Sequence, residues 1–164
     1  MKQATGTWFS FMLMALALWV PTAFAEESGS KGNASIVAVR ASEAQAGNGP
    51  MNVLDTDPKT RWAAEGTGVW IAIEFAGLVE LDRIDVGFYR GNRKYKVVLS
   101  TSVDGEAFER LGSLKSSGRG DGIESFAFKR TNVRYLRLTV NGSNENLWAN
   151  IHTCLLYTSD AADE

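Results

Sequence analysis

A chain of 164 residues has room for one domain and hardly for two, and 45% hydrophobic and 22% charged residues with 16 glycines make an ordinary globular balance. Seventeen basic against nineteen acidic residues, a net charge of −2, leave no polybasic surface for nucleic acid. One histidine and one cysteine exclude a Cys/His zinc site and argue against a histidine-based triad, so a catalyst here would have to work with carboxylates alone.

Taken in chain order, residues 1–25 carry Lys2, an apolar run from Trp8 to Val20, Pro21 and the small-x-small sequence Ala23-Phe24-Ala25. That is the pattern of a secretory signal cleaved after Ala25, and the run is shorter than the roughly 20 apolar residues a membrane span needs. A secreted or periplasmic location is therefore expected. Glu26 to Asn33 is a Glu/Ser/Gly/Lys linker, and a domain is expected over residues 34–153.

Within that domain Val69, Ile71, Ile73 and Phe75 alternate with Trp70, Ala72 and Glu74, and Ile84, Val86 and Phe88 alternate with Asp85 and Gly87. A period of two marks half-buried strands. The same reading covers Tyr95, Val97 and Leu99, then Phe126 and Phe128, then Leu136, Leu138 and Val140. Ala76-Gly77, Arg90-Gly91-Asn92, Asp104-Gly105, Gly118 to Gly122 and Asn141-Gly142 separate them as turns. No window carries an apolar stripe at helical spacing. Many short strands between Gly-rich turns predict an all-β jelly-roll sandwich.

The stretch Asp55-Thr56-Asp57-Pro58-Lys59-Thr60-Arg61-Trp62 packs oxygen donors into one turn. Side-chain oxygens of Asp55 and Thr60, with carbonyls of Asn52, Asp57 and Thr60, suit Ca²⁺, a hard cation. By spacing alone an Asx-turn with a buried tryptophan is the simpler reading. Tyr89, Arg90, Asn92, Arg93 and Lys94 form one loop that mixes an aromatic face with fixed donors, the combination a sugar ring and its hydroxyl or carboxylate groups require. Glu65, Trp70, Arg119, Asn146 and Trp148 lie in or beside other loops expected to meet it.

Gly47-Asn48-Gly49-Pro50, Asn52 to Gly66, Trp70 to Phe75, Phe88-Tyr89-Arg90-Gly91, Ser100 to Gly105, Val133 to Leu138 and Asn146-Leu147-Trp148 together resemble a discoidin or factor V/VIII type C domain. Within that superfamily the chain is most similar to carbohydrate-binding module family 32, and the Phe-Tyr-Arg-Gly and Asn-x-Trp elements resemble modules attached to alginate lyases. The resemblance spans about residues 36–152. It implies a galactose-binding-like sandwich and a non-catalytic module that binds polysaccharide or oligosaccharide through its end loops, with Arg90 in contact with sugar. A structural Ca²⁺ held at Asn52, Asp55, Asp57 and Thr60 is implied as well. The resemblance places a late glutamate ligand where this chain has Thr153. An acidic polysaccharide of the alginate type is the expected ligand, and a catalytic domain elsewhere in the full-length protein an expected neighbour. The alternative is a discoidin-type adhesion domain for a cell-surface protein, glycan or phospholipid. The polar, basic loop Tyr89 to Lys94 lacks the apolar spikes of membrane binders, so a membrane partner is disfavoured.

Residues 154–164, Cys154-Leu155-Leu156-Tyr157-Thr158-Ser159-Asp160-Ala161-Ala162-Asp163-Glu164, resemble the translation of an adaptor used in transposon-based sequencing libraries. On that reading the tail stands outside the fold, and the final strand of the sandwich is cut near Ile151. Setting aside Lys2 together with Asp160, Asp163 and Glu164 leaves basic and acidic residues in balance, and no cysteine remains to form a disulfide.

Overall fold

The computed structural model describes residues 35–120 and 122–158, so the expected leader and the last six residues lie outside the described part. Seven antiparallel strands build it: β1 (Ile36–Ala41), β2 (Trp62–Glu65), β3 (Val69–Phe88), β4 (Lys96–Ser102), β5 (Glu109–Lys115), β6 (Ile123–Val140) and β7 (Trp148–Thr158), with one 3-10 turn at Pro50–Val53.

Two long strands make the sandwich. The first half of β3 pairs with β1 and with the second half of β6, while its second half pairs with β7 and the first half of β6. β4 joins β6 to β5, and β2 joins β7 at the other edge. Ala76-Gly77, read from sequence as a separator, is the point where β3 bends from one sheet into the other, between Glu74 and Val79, where the register shifts.

The apolar alternation changes phase along β3. Val69, Ile71, Ile73, Phe75 and Leu81 are buried at odd positions, Ile84, Val86 and Phe88 at even ones. Against β7, Leu81 pairs with Thr158 but Arg83 with Tyr157, so two steps on β3 match one on its partner and Asp82 is the extra residue. A single-residue bulge of this kind swaps the faces of a strand and keeps both apolar sets pointed inward. All of them join one core with Trp62, Tyr95, Leu136, Leu138 and Ile151.

The same device corrects the expectation for the tail. Gly87 pairs with Thr153 and Phe88 with Ile151, which leaves His152 as the extra residue of β7. After it, Cys154 and Leu156 turn into the core at 5% and 9% exposure, in phase with each other but not with Ile151. β7 therefore runs on to Thr158 rather than stopping near Ile151, and Cys154 to Thr158 belong to the sheet. Tyr157 donates its hydroxyl to Asp85 at 2.8 Å and stacks under the Arg83 guanidinium at 3.5 Å. Burial pushes the Cys154 thiol up to about 12.

Candidate functional site

Trp62 opens β2 fully buried, and its indole Nε1–H donates to the Glu43 carbonyl at 2.9 Å. The Gln45 amide donates to Ala63 and the Ala63 amide to Asn48, so the loop that carries Gln45 is fastened to β2. Arg61, just before Trp62, is thereby placed at the end of the sandwich. Its Nε donates to Asn150 Oδ1 at 3.2 Å, and its guanidinium lies 4.2 Å from the centroid of the Tyr89 ring. Arg90 approaches the same ring at 5.5 Å.

A cavity of about 220 Å³ opens there, lined by Arg61, Tyr89, Arg90, Arg93, Trp148 and Asn150, with Gln45 at its edge. Arg93 pairs with Glu145 at 2.8 Å. Arg61 and Arg90 have no carboxylate within ion-pair distance among the described residues. Beneath them Tyr95 is buried and stacked on Phe88, centroids 4.7 Å apart and planes 9° from parallel. Burial raises the Tyr95 pKa, and neighbouring Arg93 works against that rise.

Of the residues expected from sequence, Tyr89, Arg90, Arg93 and Trp148 come together in this cavity. Asn92 and Lys94 are exposed on the same loop and Arg119 on a neighbouring one, and none of the three lines the cavity. A Cβ on Gly91 would meet Gly122 Cα at 2.6 Å, so the two loops pack backbone to backbone there, and one on Gly118 would meet the Lys94 side chain at 2.8 Å. Asn146 serves its own turn, its Oδ1 accepting the Trp148 amide at 3.2 Å. Glu65 sits exposed at the end of β2, opposite Trp148 in register. Trp70 does not join the cavity: with Val69 and Ile71 pointed inward, its ring lies on the outer face of the sheet, in a different groove. Sequence reasoning missed Gln45, Arg61 and Asn150. The last had a signal, since Trp148 and Asn150 are two apart on one strand.

The turn between the 3-10 segment and β2 gathers hard oxygens. The Thr60 hydroxyl lies 2.7 and 2.8 Å from the two Asp55 carboxylate oxygens and 3.2 Å from the Asp57 carbonyl, three acceptors around one proton. The Asp57 carboxylate instead accepts the Lys59 amide at 2.9 Å, and the Asn52 side chain donates to the Arg61 carbonyl at 2.9 Å. Among the described residues no three His, Cys, Asp or Glu side chains cluster as a metal site, so a cation here would combine the single carboxylate of Asp55 with carbonyl and hydroxyl ligands. This donor set fits Ca²⁺. Thr153, which holds the place of the late glutamate, is buried with its hydroxyl unpartnered among the described residues. Burial lowers the pKa of the adjacent His152, against an opposing pull from Asp55.

With this geometry in place, comparison with known proteins assigns the family. A family model for the F5/8 type C domain matches residues 38–154. The chain belongs to that family. No curated protein sequence matches it. Among solved structures, the family 32 carbohydrate-binding module of AlyQ in complex with 4,5-unsaturated mannuronic acid is 31% identical, with a TM-score of 0.72, over 75% of this chain and 95% of that one. A pectin-binding carbohydrate-binding module is 29% identical, TM-score 0.71, over 79% of this chain and 94% of its own. A truncated AlyQ with its family 32 module and alginate lyase domain is 30% identical, TM-score 0.72, and this chain spans 34% of it. The F5/8 type C domain described here is a carbohydrate-binding module of the family 32 type, with the jelly-roll sandwich its strand pattern predicted.

Proposed function

We propose that the end cavity binds an acidic sugar, a uronate of the alginate or pectin type, and that the module serves a secreted polysaccharide-degrading protein. The observation that carries this reading is the pair of arginines, Arg61 and Arg90, without carboxylate partners and held against one tyrosine ring. Guanidinium groups bind carboxylates in bidentate fashion, and Trp148 beside them offers a face for the apolar side of a pyranose. A cavity of about 220 Å³ falls below the range of about 300–1,000 Å³ for drug-sized ligands and suits one ring at a chain end. The neighbours that hold a mannuronate derivative or bind pectin support the same class. Export through residues 1–25, a structural Ca²⁺ at the Asp55 turn and a catalytic domain in the full-length protein complete the proposal.

Calorimetric titration with 4,5-unsaturated mannuronate at two salt concentrations tests it. A dissociation constant of order 0.1–1 mM is expected, about −4 to −5.5 kcal/mol, weakening with salt. Arg90→Ala, and likewise Arg61→Ala, should cost about 1.5–3 kcal/mol, the range for hydrogen bonds to charged groups. Uronate binding that ignores both salt and Arg90→Ala would end the acidic assignment and leave the binding module standing.

A further inference from the structure

The outer face of the other sheet carries a second concave surface, of about 380 Å³, that shares no residue with the end cavity. Its floor is Ala72. Along β3 that alanine stands between Trp70 and Glu74, and across the sheet it pairs with Arg40 of β1 and Arg137 of β6. A small residue ringed by four large ones leaves a hollow on a strand face, where side chains at i and i+2 stand side by side. The turn Asp104 to Phe108 walls one side, fixed by Asp104 Oδ1, which accepts the Glu106 and Ala107 amides at 2.8 and 3.0 Å.

The chemistry around the hollow is that of a ligand rich in hydroxyls. Trp70 is only partly buried, and among the described residues its indole has no hydrogen-bond partner comparable to the Trp62–Glu43 bond. The Arg137 guanidinium lies over Phe108, 3.8 Å from its ring centroid, and 5.9 Å from the Trp70 centroid. Its Nε is buried with no hydrogen-bond partner, and it has no carboxylate within ion-pair distance among the described residues. Facing it, Glu74 is held by the Tyr135 hydroxyl at 3.1 Å and by Arg40 at 3.3 Å. The fixed carboxylate of Glu74 and the unpaired guanidinium of Arg137 thus line the hollow beside an aromatic plane. The carboxylates of Glu74, Asp104 and Glu106 offset the two lining arginines, so the hollow does not favour an anion.

We infer that this groove is a second saccharide site, which takes a neutral pyranose stacked on Trp70, with hydroxyls shared between Arg137 and Glu74. The inference rests on the chain being a carbohydrate-binding module, and not on the acidic ligand of the end cavity. The two sites would let one module hold a charged chain end and a neutral stretch of polysaccharide at once.

The test is calorimetric titration of the full module with neutral tetrasaccharides of galacto, gluco and manno configuration, beside 4,5-unsaturated mannuronate. One neutral probe should bind in the millimolar range, retain its affinity in Arg90→Ala, and weaken at least about tenfold in Trp70→Ala, as expected for a truncated aromatic anchor. Uronate binding should be unchanged in Trp70→Ala. Ala72→Gln, which fills the hollow from its floor, should give the same neutral-sugar loss, with folding of each variant checked by its thermal melt. The inference is overturned if no neutral probe binds, or if neutral binding survives Trp70→Ala and Ala72→Gln but vanishes in Arg90→Ala. Failure of the mannuronate arm alone would count against the end-cavity reading and leave this one intact.

Discussion

The two concave surfaces of the module are built by different means. The end cavity is assembled from loops and strand ends, with Arg61, Tyr89, Trp148 and Asn150 drawn from β7 and from segments flanking β2 and β3, and its positive charge exceeds its negative charge. The groove over Ala72 is assembled on a strand face, where register alone sets the neighbours, and its charges offset one another. On the two proposed readings, ligand class follows from the charge balance of the whole lining. An arginine over a tyrosine with no carboxylate nearby is left free for an anion, while an arginine among carboxylates and aromatics is left to bind hydroxyls.

Truncation of Trp62 would strike the end cavity from beneath. Trp62 fills the core under the end cavity and holds the Glu43 carbonyl, so Trp62→Ala should cost about 3–5 kcal/mol of stability, as other large aromatic truncations do. It should also loosen the Gln45 and Arg61 segments and impair uronate binding before it touches the groove. Denaturant unfolding measures the first effect. Alkylation of Cys154 measures local opening: with its thiol buried and its pKa pushed up to about 12, the wild type should react slowly at mildly alkaline pH. Rapid alkylation of the wild-type thiol would show that β7 beyond His152 does not stay packed.

These differences explain what the sequence made legible. The alternation Val69 to Phe75 and Ile84 to Phe88 showed the strands and the inward set, and Trp62 was readable as core because it closes an oxygen-rich turn. The phase changes at Asp82 and His152 were not readable, because a bulge is visible only against the partner strand. Cys154 and Leu156 fell outside the expected fold because the tail was set aside for its resemblance to a translated adaptor, and the phase change at His152 hid the apolar alternation that argues for a strand. Arg90 and Tyr89 were found as neighbours in one loop. Arg61 and Asn150, 89 positions apart in the chain, meet only through the pairing of β2 with β7. Trp70 was placed with the wrong loops although its alternation with Val69 and Ile71 already pointed it away from the core.

Calcium offers a smaller perturbation aimed at one surface. Thr60, whose hydroxyl holds Asp55, immediately precedes Arg61 in the chain, so a cation bound there would brace the end cavity and leave the groove alone. If the dissociation constant lies near 10⁻⁴–10⁻³ M, as in extracellular modules, Ca²⁺ at about ten times that value stabilises the fold by about 1.4 kcal/mol. For a domain of this size that is a rise in Tm of about 4–7 °C. Asp55→Ala should abolish the rise. An equal rise in that variant, or none over chelator in the wild type, would remove the metal from this turn.

The smallest expected effect is the sharpest, because it changes one charge partner and nothing else. Arg93 lines the end cavity but is paired with Glu145 at 2.8 Å, with side-chain exposures of 21% and 46%. A pair this open to solvent contributes about 0.2–1 kcal/mol to stability, so Glu145→Gln should barely move Tm. It releases Arg93, however, to the same condition as Arg61 and Arg90. Uronate affinity should then rise by up to about fivefold, the equivalent of about 1 kcal/mol, and the gain should shrink in about 0.5 M salt as screening sets in. Arg93→Ala in the wild type should correspondingly cost less than Arg90→Ala, since its charge is already partly spent on Glu145. The neutral tetrasaccharide at the groove should register none of these changes. A parallel rise in neutral-sugar affinity would mean that the two surfaces are coupled, and an unchanged uronate affinity would mean that unpartnered charge does not select the ligand at the end cavity.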